Sequence, residues 1–528
     1  MKSCPRYLAG CKRRTTRESR DSLRLEEDAP LLAQDLDLAR ERIRSGVAAD
    51  GVDAHQVAID QLVWGHAYNE AARAMQTWAD ETGDAGVRDM AAAAEDEAVA
   101  VIRGRPIDQT IAYGLQLAKI AARPLPSVDL GASDEHRLLR AAVHSFAAAE
   151  IEPIAQALHR GDLDIPENVI TGVARLGLFG VSIPEAYGGS QQGEPDTKSV
   201  LIATEELSRA SLGAGGSLMT RPEILVRALV RAGTEEQKRR WLPAIASGSQ
   251  LVAVAVTEPN YGSDVAGLSC RATRLADGSW EITGAKLWCT FAGRAELLTV
   301  LCRTSDGGHR GLSLFVLEKP AFGGHQFEHV QPGGGVLRGR AIPTIGYRGM
   351  HTFELAFDRY SLPEHALVGG EAGMNRGFYL QMEGFGVGRL QTAGRAIGVA
   401  QAALDAALLY TGQRRVFGRL ENEFQLVLAK LGAMAVRTSA ARQLSYRAAE
   451  LLDEGRGQTE AALAKLYASR IAEQITRDAT QLSGAMGYSE ETKVSRYFVD
   501  SRVFSIFEGA EEVLSLRVIG KSLLEARE

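Results

Sequence analysis

Apolar residues recur at helical spacing along most of this chain, and the places where the spacing fails mark its joints. Between 35 and 122, Trp64, Tyr68, Ala71, Met75 and Trp78 repeat at four and three residues, which gathers them on one face of a helix. Such a face has to bury against something. Arg123-Pro124-Leu125-Pro126-Ser127 then interrupts the pattern, because prolines push the residues before them out of the helical region. A boundary near 130 follows. From 133 to 248 the helical period resumes, broken at Ile183-Pro184-Glu185-Ala186-Tyr187-Gly188-Gly189 and at Gly233. Thr234 has the place of an N-cap, with Glu235 and Glu236 favouring the helix start that follows. Within this segment, residues 213–223 are rich in small side chains that let backbone and ligand come close.

At Leu251 the period changes. Residues 251–256, 280–283, 297–302, 312–317 and 352–357 are short β-rich runs separated by Gly, Asp and Pro, as expected for a small antiparallel sheet or barrel. From Gly377 helices return, with Leu428, Leu431 and Met434, then Ile471, Ile475, Ala479 and Leu482, at three and four. Short connections make this last part a bundle. The expected layout is a helical extension over 1–130, a helical domain over 131–250, a β domain over 251–366 and a helical bundle over 367–528. In class it is α+β and mainly α.

Composition narrows the possibilities. At 528 residues, 45% hydrophobic and 24% charged, the chain has the make-up of a multidomain globular protein. Sixty Lys and Arg against 66 Asp and Glu leave −6, which suits neither nucleic acid nor an anionic membrane surface. No run reaches the length of a membrane-spanning helix, and no secretory apolar stretch follows the start. Cys4, Cys11, Cys270, Cys289 and Cys302 lack any C-x-x-C spacing, so a reducing compartment, the cytoplasm, is expected. Residues 1–20 are rich in Arg, Ser and Thr, yet Glu18 and Asp21 and the missing amphipathic pattern favour a disordered or over-extended start over a transit peptide. No metal site is expected: His325 and His329, the close pair, lie in a Gly- and Pro-flanked segment read as surface loop.

Candidate chemistry centres on Ser505-Ile506-Phe507-Glu508-Gly509-Ala510-Glu511. Glu508 follows an apolar triplet, and burial there raises a carboxylate's pKa toward the range of a general base. Upstream stand Val256-Thr257-Glu258-Pro259-Asn260-Tyr261-Gly262-Ser263-Asp264 and Gly284-Ala285-Lys286-Leu287-Trp288-Cys289-Thr290. Downstream are Arg414-Arg415-Val416-Phe417-Gly418 and Gln481-Leu482-Ser483-Gly484-Ala485-Met486-Gly487-Tyr488. In this order, over residues 133–525, these motifs resemble those of acyl-CoA dehydrogenases.

The resemblance implies an FAD enzyme in which Glu508 removes the α proton of an acyl-CoA and the Gly509 segment borders the thioester. It implies that Val256, Thr257, Trp288 and Thr290 lie along the flavin ring. Ser263 falls near the diphosphate or pantetheine. Arg414, Phe417, Gln481 and Gly484 would hold diphosphate and adenine, largely from a neighbouring subunit, which implies a homodimer or homotetramer. Arg389 matches an arginine near the base and the CoA arm, while Gly388 stands where some members carry the base instead. An electron-transfer flavoprotein is the family's usual acceptor. Tyr261, Ala510 and Glu512 depart from the common pattern.

Within the family, residues 35–122, 215–221, 345–350 and 507–510 are most similar to the branch that oxidises (2S)-methylsuccinyl-CoA to mesaconyl-CoA in the ethylmalonyl-CoA pathway. A substrate ending in a carboxylate needs a cation at the blind end of its pocket. Arg221 is the candidate, the alternative being a helix cap or a pair with Glu223. A short branched monocarboxylic acyl-CoA is the second expectation. A DNA-binding flavoprotein of the same fold is the third, and Lys521-Ser522-Leu523-Leu524-Glu525-Ala526-Arg527-Glu528 supplies no basic tail for it. The extension would either cover the entrance to the active site or replace a subunit interface.

Overall fold

The computed structural model describes residues 25–104 and 111–525. The Arg-rich start, with Cys4 and Cys11, lies outside the described residues. The extension comprises α1 (Leu25–Asp50), α2 (Gln56–Thr82), α3 (Ala85–Ile102) and α4 (Ile111–Ala121). Between α2 and α3 the chain reverses through Gly83 at φ 63°, and the Asp84 carboxylate accepts from the Val87 amide at 3.0 Å to cap α3.

The apolar face of α2 does bury. Trp64, Ala71, Met75 and Trp78 are all in the core, where they meet α3 and the C-terminal bundle. Tyr68 sets its edge against Tyr467 at 5.1 Å. Arg470 lies 3.3 Å above the Trp64 ring. Glu97 on α3 and Arg437 form a buried ion pair at 2.7 Å, whose disruption on either side would cost about 3–5 kcal/mol. Where α4 crosses the bundle, a side chain at Gly432 would strike the Leu117 carbonyl. Ile59, Met75, Met90, Leu390, Ala468 and Phe504 accordingly share one hydrophobic core.

The next domain holds α5 (Asp134–Phe146), α6 (Glu152–Gly161), α7 (Glu167–Arg175), α8 (Thr197–Ala210), α9 (Thr220–Ala232) and α10 (Glu235–Ala246). Thr234 caps α10 as its sequence requires: its hydroxyl accepts from the Gln237 amide at 3.2 Å, and Gln237 Oε1 accepts from the Thr234 amide at 3.0 Å.

The β domain has eight strands: β1 (Val252–Ala255), β2 (Arg271–Arg274), β3 (Trp280–Thr290), β4 (Leu297–Arg303), β5 (Leu312–Glu318), β6 (Gln326–Val330), β7 (Val336–Ala341) and β8 (Thr352–Leu362). From β5 the sheet passes to β4, then to β1 and β2, which pair parallel to it, and on through β3, β8, β7 and β6, all antiparallel. It is a curved half-barrel. Strands β2, β6 and β7 lie outside the apolar runs because Arg271, Arg274, Glu328, Arg338 and Arg340 line their solvated face.

The bundle contains α11 (Gly377–Gln413), a hairpin of β9 (Arg415–Val416) and β10 (Arg419–Leu420), then α12 (Gln425–Asp453), α13 (Gln458–Leu482) and α14 (Lys493–Ser501). Short helical turns follow to Glu525. Among the described residues no helix is long and apolar enough to cross a membrane. Cys270, Cys289 and Cys302 are buried free thiols.

Candidate active site

Glu508 leaves the turn after α14 in the left-handed region, at φ 53°, and Gly509 follows at φ 103°. A left-handed residue with a Cβ costs about 1–2 kcal/mol, so the surroundings must hold it. The fully buried Lys465 on α13 does so, donating from Nζ to the Gly509 carbonyl at 2.6 Å. A Cβ at Gly509 would press on the Leu514 side chain at 2.9 Å.

The carboxylate meets one face of α11. Gly388, Thr392 and Arg395 are spaced i, i+4, i+7, so they line up along the helix. Arg395 Nη2 donates to Glu508 Oε1 at 2.8 Å, and the Thr392 hydroxyl donates to Oε2 at 2.6 Å. Arg395 also donates to the Ser217 hydroxyl at 3.1 Å and packs over the Phe507 ring at 4.7 Å. A Cβ on Gly388 would stand 3.6 Å from Glu508 Oε2, so no side chain from that position competes with the carboxylate. Arg395, Thr392 and Lys465 were not singled out from the sequence. The i, i+4, i+7 spacing beginning at Gly388 is the signal that could have found the first two.

The electrostatics correct one expectation. Burial alone does push Glu508 upward, but Arg395, then Arg221, and the hydrogen bonds from Thr392 and Arg395 outweigh it, and the carboxyl titrates below its ordinary value. It is held ionised. Burial lowers Arg389, opposed by the attraction of Glu508. Burial brings Lys465 down to about 7, against the pull of Glu508 and Glu511.

Three segments far apart in sequence converge beside this carboxylate. Arg221, in the first turn of α9 and only 7% exposed, lies 5.9 Å over the Tyr347 ring. That ring meets Phe507 edge-on at 5.9 Å. The Tyr347 amide donates to Asp500 Oδ1 at 2.6 Å, and a side chain at Gly213 would strike the Arg348 carbonyl. These contacts seat the 345–350 loop on the 213–221 segment. Arg221 Nη1, the Tyr347 hydroxyl, the Thr220 hydroxyl and Arg389 Nε are buried without hydrogen-bond partners. Glu223 is taken by Arg227 at 2.7 Å, which removes the proposed partner of Arg221.

The 256–264 turn is pinned from below. Glu258 Oε1 meets the buried Lys286 Nζ at 2.8 Å, and its carboxylate also accepts from the Ser269 and Cys270 amides at 2.8 and 2.9 Å. Lys286 donates in addition to the Val256 carbonyl at 3.0 Å, and the Leu287 amide to the Thr257 carbonyl at 2.8 Å. This sets the turn against β3 beside Trp288. There the ladder to β8 shifts register between Lys286 and Cys289, and Trp288, at φ 60°, is left 55% exposed. Val256 is buried, Thr257 half-buried and Ser263 exposed. The buried Thr290 hydroxyl lies 3.1 Å from that of Thr352.

The remaining predicted residues gather elsewhere. Phe417, at φ 50° in the β9–β10 turn, is 96% exposed. Arg414 Nη1 donates to the Tyr410 hydroxyl at 3.2 Å, and a Cβ on Gly484 would lie 3.2 Å from the same nitrogen. Gln481 is exposed beside them at the end of α13. At 1.5 Å per residue, Arg414 stands about 39 Å along α11 from Gly388. Exposed aromatic rings at Trp288 and Phe417, with a guanidinium at Arg414, suit a flat heteroaromatic ring system joined to a diphosphate.

Comparison with known proteins agrees. Family models match in the order acyl-CoA dehydrogenase N-terminal domain over 133–249, middle domain over 253–360 and C-terminal domain over 375–524. The chain belongs to the acyl-CoA dehydrogenase family. It is a flavoprotein oxidoreductase that uses FAD.

A (2S)-methylsuccinyl-CoA dehydrogenase of Cereibacter sphaeroides is 35% identical over 553 aligned residues, covering 96% of this chain and 98% of the relative. Butyryl-CoA dehydrogenase of Megasphaera elsdenii superposes with a TM-score of 0.69 at 31% identity, covering 74% of this chain and 99% of that one. A glutaryl-CoA dehydrogenase of Mycobacterium smegmatis, solved in complex with FADH2, gives 0.66 at 25% identity, covering 75% and 96%. The two structures match a smaller share of this acyl-CoA dehydrogenase than the Cereibacter enzyme, whose alignment takes in the helical extension.

Proposed function

We propose that this acyl-CoA dehydrogenase oxidises a short branched dicarboxylic acyl-CoA, (2S)-methylsuccinyl-CoA to mesaconyl-CoA, as in the ethylmalonyl-CoA pathway. The observation that carries this reading is Arg221: a buried guanidinium whose Nη1 has no partner, beside the unpartnered Tyr347 hydroxyl. A buried cation left in that state calls for an anion from outside the protein. The distal carboxylate of the acyl group supplies one.

Glu508, kept ionised by Arg395 and Thr392, removes the α proton. The Gly509 segment, fixed by Lys465, borders the thioester carbonyl, where an amide donor stabilises the developing enolate. When bound, FAD supplies the acceptor for the β hydride at N5. Trp288 and Thr290, with Val256 and Thr257, flank the ring, and Ser263 lies toward the diphosphate and pantetheine. Arg389 steers the CoA arm near Glu508. Arg414, Phe417, Gln481 and Gly484 serve a neighbouring chain's diphosphate and adenine, which makes the enzyme a homodimer or homotetramer. Electrons leave to an electron-transfer flavoprotein, in the cytoplasm.

The test is anaerobic bleaching of the flavin by (2S)-methylsuccinyl-CoA, isobutyryl-CoA and butyryl-CoA in parallel, repeated with Arg221→Ala. Loss of a partner for a buried charge predicts a fall of about 100-fold or more in kcat/KM for methylsuccinyl-CoA. Butyryl-CoA should be little affected. Bleaching by the monocarboxylic substrates alone would keep the dehydrogenase and discard the dicarboxylic reading.

A further inference from the structure

His325 and His329 part company in the fold. His329, on β6, turns to the Tyr360 hydroxyl at 2.8 Å. His325, just before that strand, meets His351 instead, their ring centroids 4.2 Å apart. Asp162, which ends α6 in the left-handed region, completes the group. Its Oδ2 is 3.1 Å from His325 Nε2 and its Oδ1 is 3.4 Å from His351 Nε2. One donor atom from each of the three lies within 4.8 Å of the others. Ligands held at about 2.0–2.2 Å around a tetrahedral zinc stand roughly 3.3–3.5 Å apart.

His351 is the informative member. It is buried, and both of its ring nitrogens face oxygen: Nδ1 lies 3.0 Å from Asp164 Oδ1, and Nε2 lies 3.1 Å from the Asp162 carbonyl. A neutral imidazole carries one N–H, so one nitrogen would turn a lone pair toward an oxygen lone pair. A second proton would place a cation against the neighbouring imidazole. A metal ion on Nε2 removes both conflicts, because Nδ1–H then donates to Asp164 in the carboxylate–histidine–metal arrangement that fixes a ligand's tautomer. Asp164 is itself held, accepting from the Gly324 amide at 2.7 Å. Asp164 and His351 also line an open cavity of about 370 Å³ with Phe291, Arg294 and Met350, which leaves room beside the group for water to complete the coordination.

We infer that Asp162, His325 and His351 form a binding site for a divalent transition metal of the zinc class, with Asp164 orienting His351. Two imidazoles and a carboxylate suit zinc, cobalt or nickel better than calcium or magnesium. The site would tie the loop after α6 to the loops before β6 and β8. It joins the helical and β domains away from Glu508.

Untagged, full-length FAD-loaded protein, stripped with a chelator, is dialysed against graded free Zn²⁺ and the metal per chain is counted by elemental analysis. Thermal midpoints are read in parallel. The wild type should take one zinc per chain and melt higher with zinc than with chelator. His325→Ala, a change at a half-exposed side chain, should lose that zinc and its stabilisation, while melting in chelator as the wild type does. Asp162→Ala should do the same. Asp164→Asn should weaken the site about 10- to 100-fold. FAD content should not change in any of the three. Absence of zinc uptake at about 100 µM free metal, a concentration far above the dissociation constant of a stabilising site, overturns the assignment. So does equal uptake by His325→Ala and the wild type, since the ion then sits elsewhere.

Discussion

Around Glu508 the chain supplies everything from within. Arg395, Thr392 and Lys465 are fully buried, each holds a hydrogen bond toward the carboxylate or its turn, and the Glu508 side chain is 10% exposed. Around Phe417 the opposite holds. The ring is 96% exposed, Arg414 reaches only the Tyr410 hydroxyl and a distant Glu421, and Gln481 stands in solvent. An interior that is closed and charge-compensated is suited to tuning a proton transfer. A surface that leaves large aromatic area and a guanidinium open is suited to receiving another molecule. The two regions should therefore fail separately when substituted, one in chemistry and the other in cofactor retention.

The sharpest separation comes from Glu508→Gln. Removing the proposed base should lower the rate of anaerobic flavin bleaching by about 10³–10⁴-fold, while the flavin-to-protein absorbance ratio of the purified enzyme stays at the wild-type value. Loss of bound FAD in this variant would show that the two regions are coupled. Next in size is Arg395→Gln. Arg395 is the largest influence lowering Glu508, and without it burial dominates. The acid limb of kcat/KM against pH, which reports the free enzyme, should then move up by about one unit or more. An unmoved limb would mean that Arg395 serves packing alone.

Lys465 gives a smaller effect with a definite sign. Its folded pKa, about 7, lies below the model value of 10.5, so between those values the unfolded chain binds more protons than the folded one. Stability from this group is therefore poorest below pH 7 and rises as pH climbs toward 10.5, by up to about 1.4 kcal/mol per unit. Lys465→Met lacks the titrating group. The difference in thermal midpoint between wild type and variant, measured from pH 6.5 to 9 as an order-of-magnitude range around neutrality, should move steadily in favour of the wild type. A flat difference would show that Lys465 does not titrate there.

Much of this was legible before any coordinates. The four-three repeat of Trp64 to Trp78 announced a buried face, and Thr234 its helix start, because both are local properties of the chain. Strands β2, β6 and β7 were not, since Arg271, Glu328, Arg338 and Arg340 hide their alternation among polar residues. At the site, the motifs located Glu508, Trp288 and Phe417. They did not reveal that Glu508 titrates low, because its compensating partners lie on α11 and α9, more than a hundred residues away in sequence. Nor did they bring Asp162 and His351 to His325. Only the packing of the 345–351 loop and the end of α6 does that.

Phe417→Ala tests the open region by itself. Its ring makes one contact within the chain, edge-on to Phe424 at 6.3 Å, so truncation removes little internal packing. Stacking against a heteroaromatic partner contributes about 0.5–1.5 kcal/mol, which predicts FAD binding weaker by roughly 2- to 12-fold. At saturating FAD, turnover and the acid limb of the pH profile should equal those of the wild type, because nothing near Glu508 has changed. Gel filtration of the variant with and without FAD adds a second reading. If the ring stacks on a cofactor held by a neighbouring chain, the weaker binding should be accompanied by easier dissociation of the oligomer. A variant that loses turnover at saturating FAD would place Phe417 in the path from cofactor to base, and the division between a closed acyl end and an open cofactor end would no longer stand.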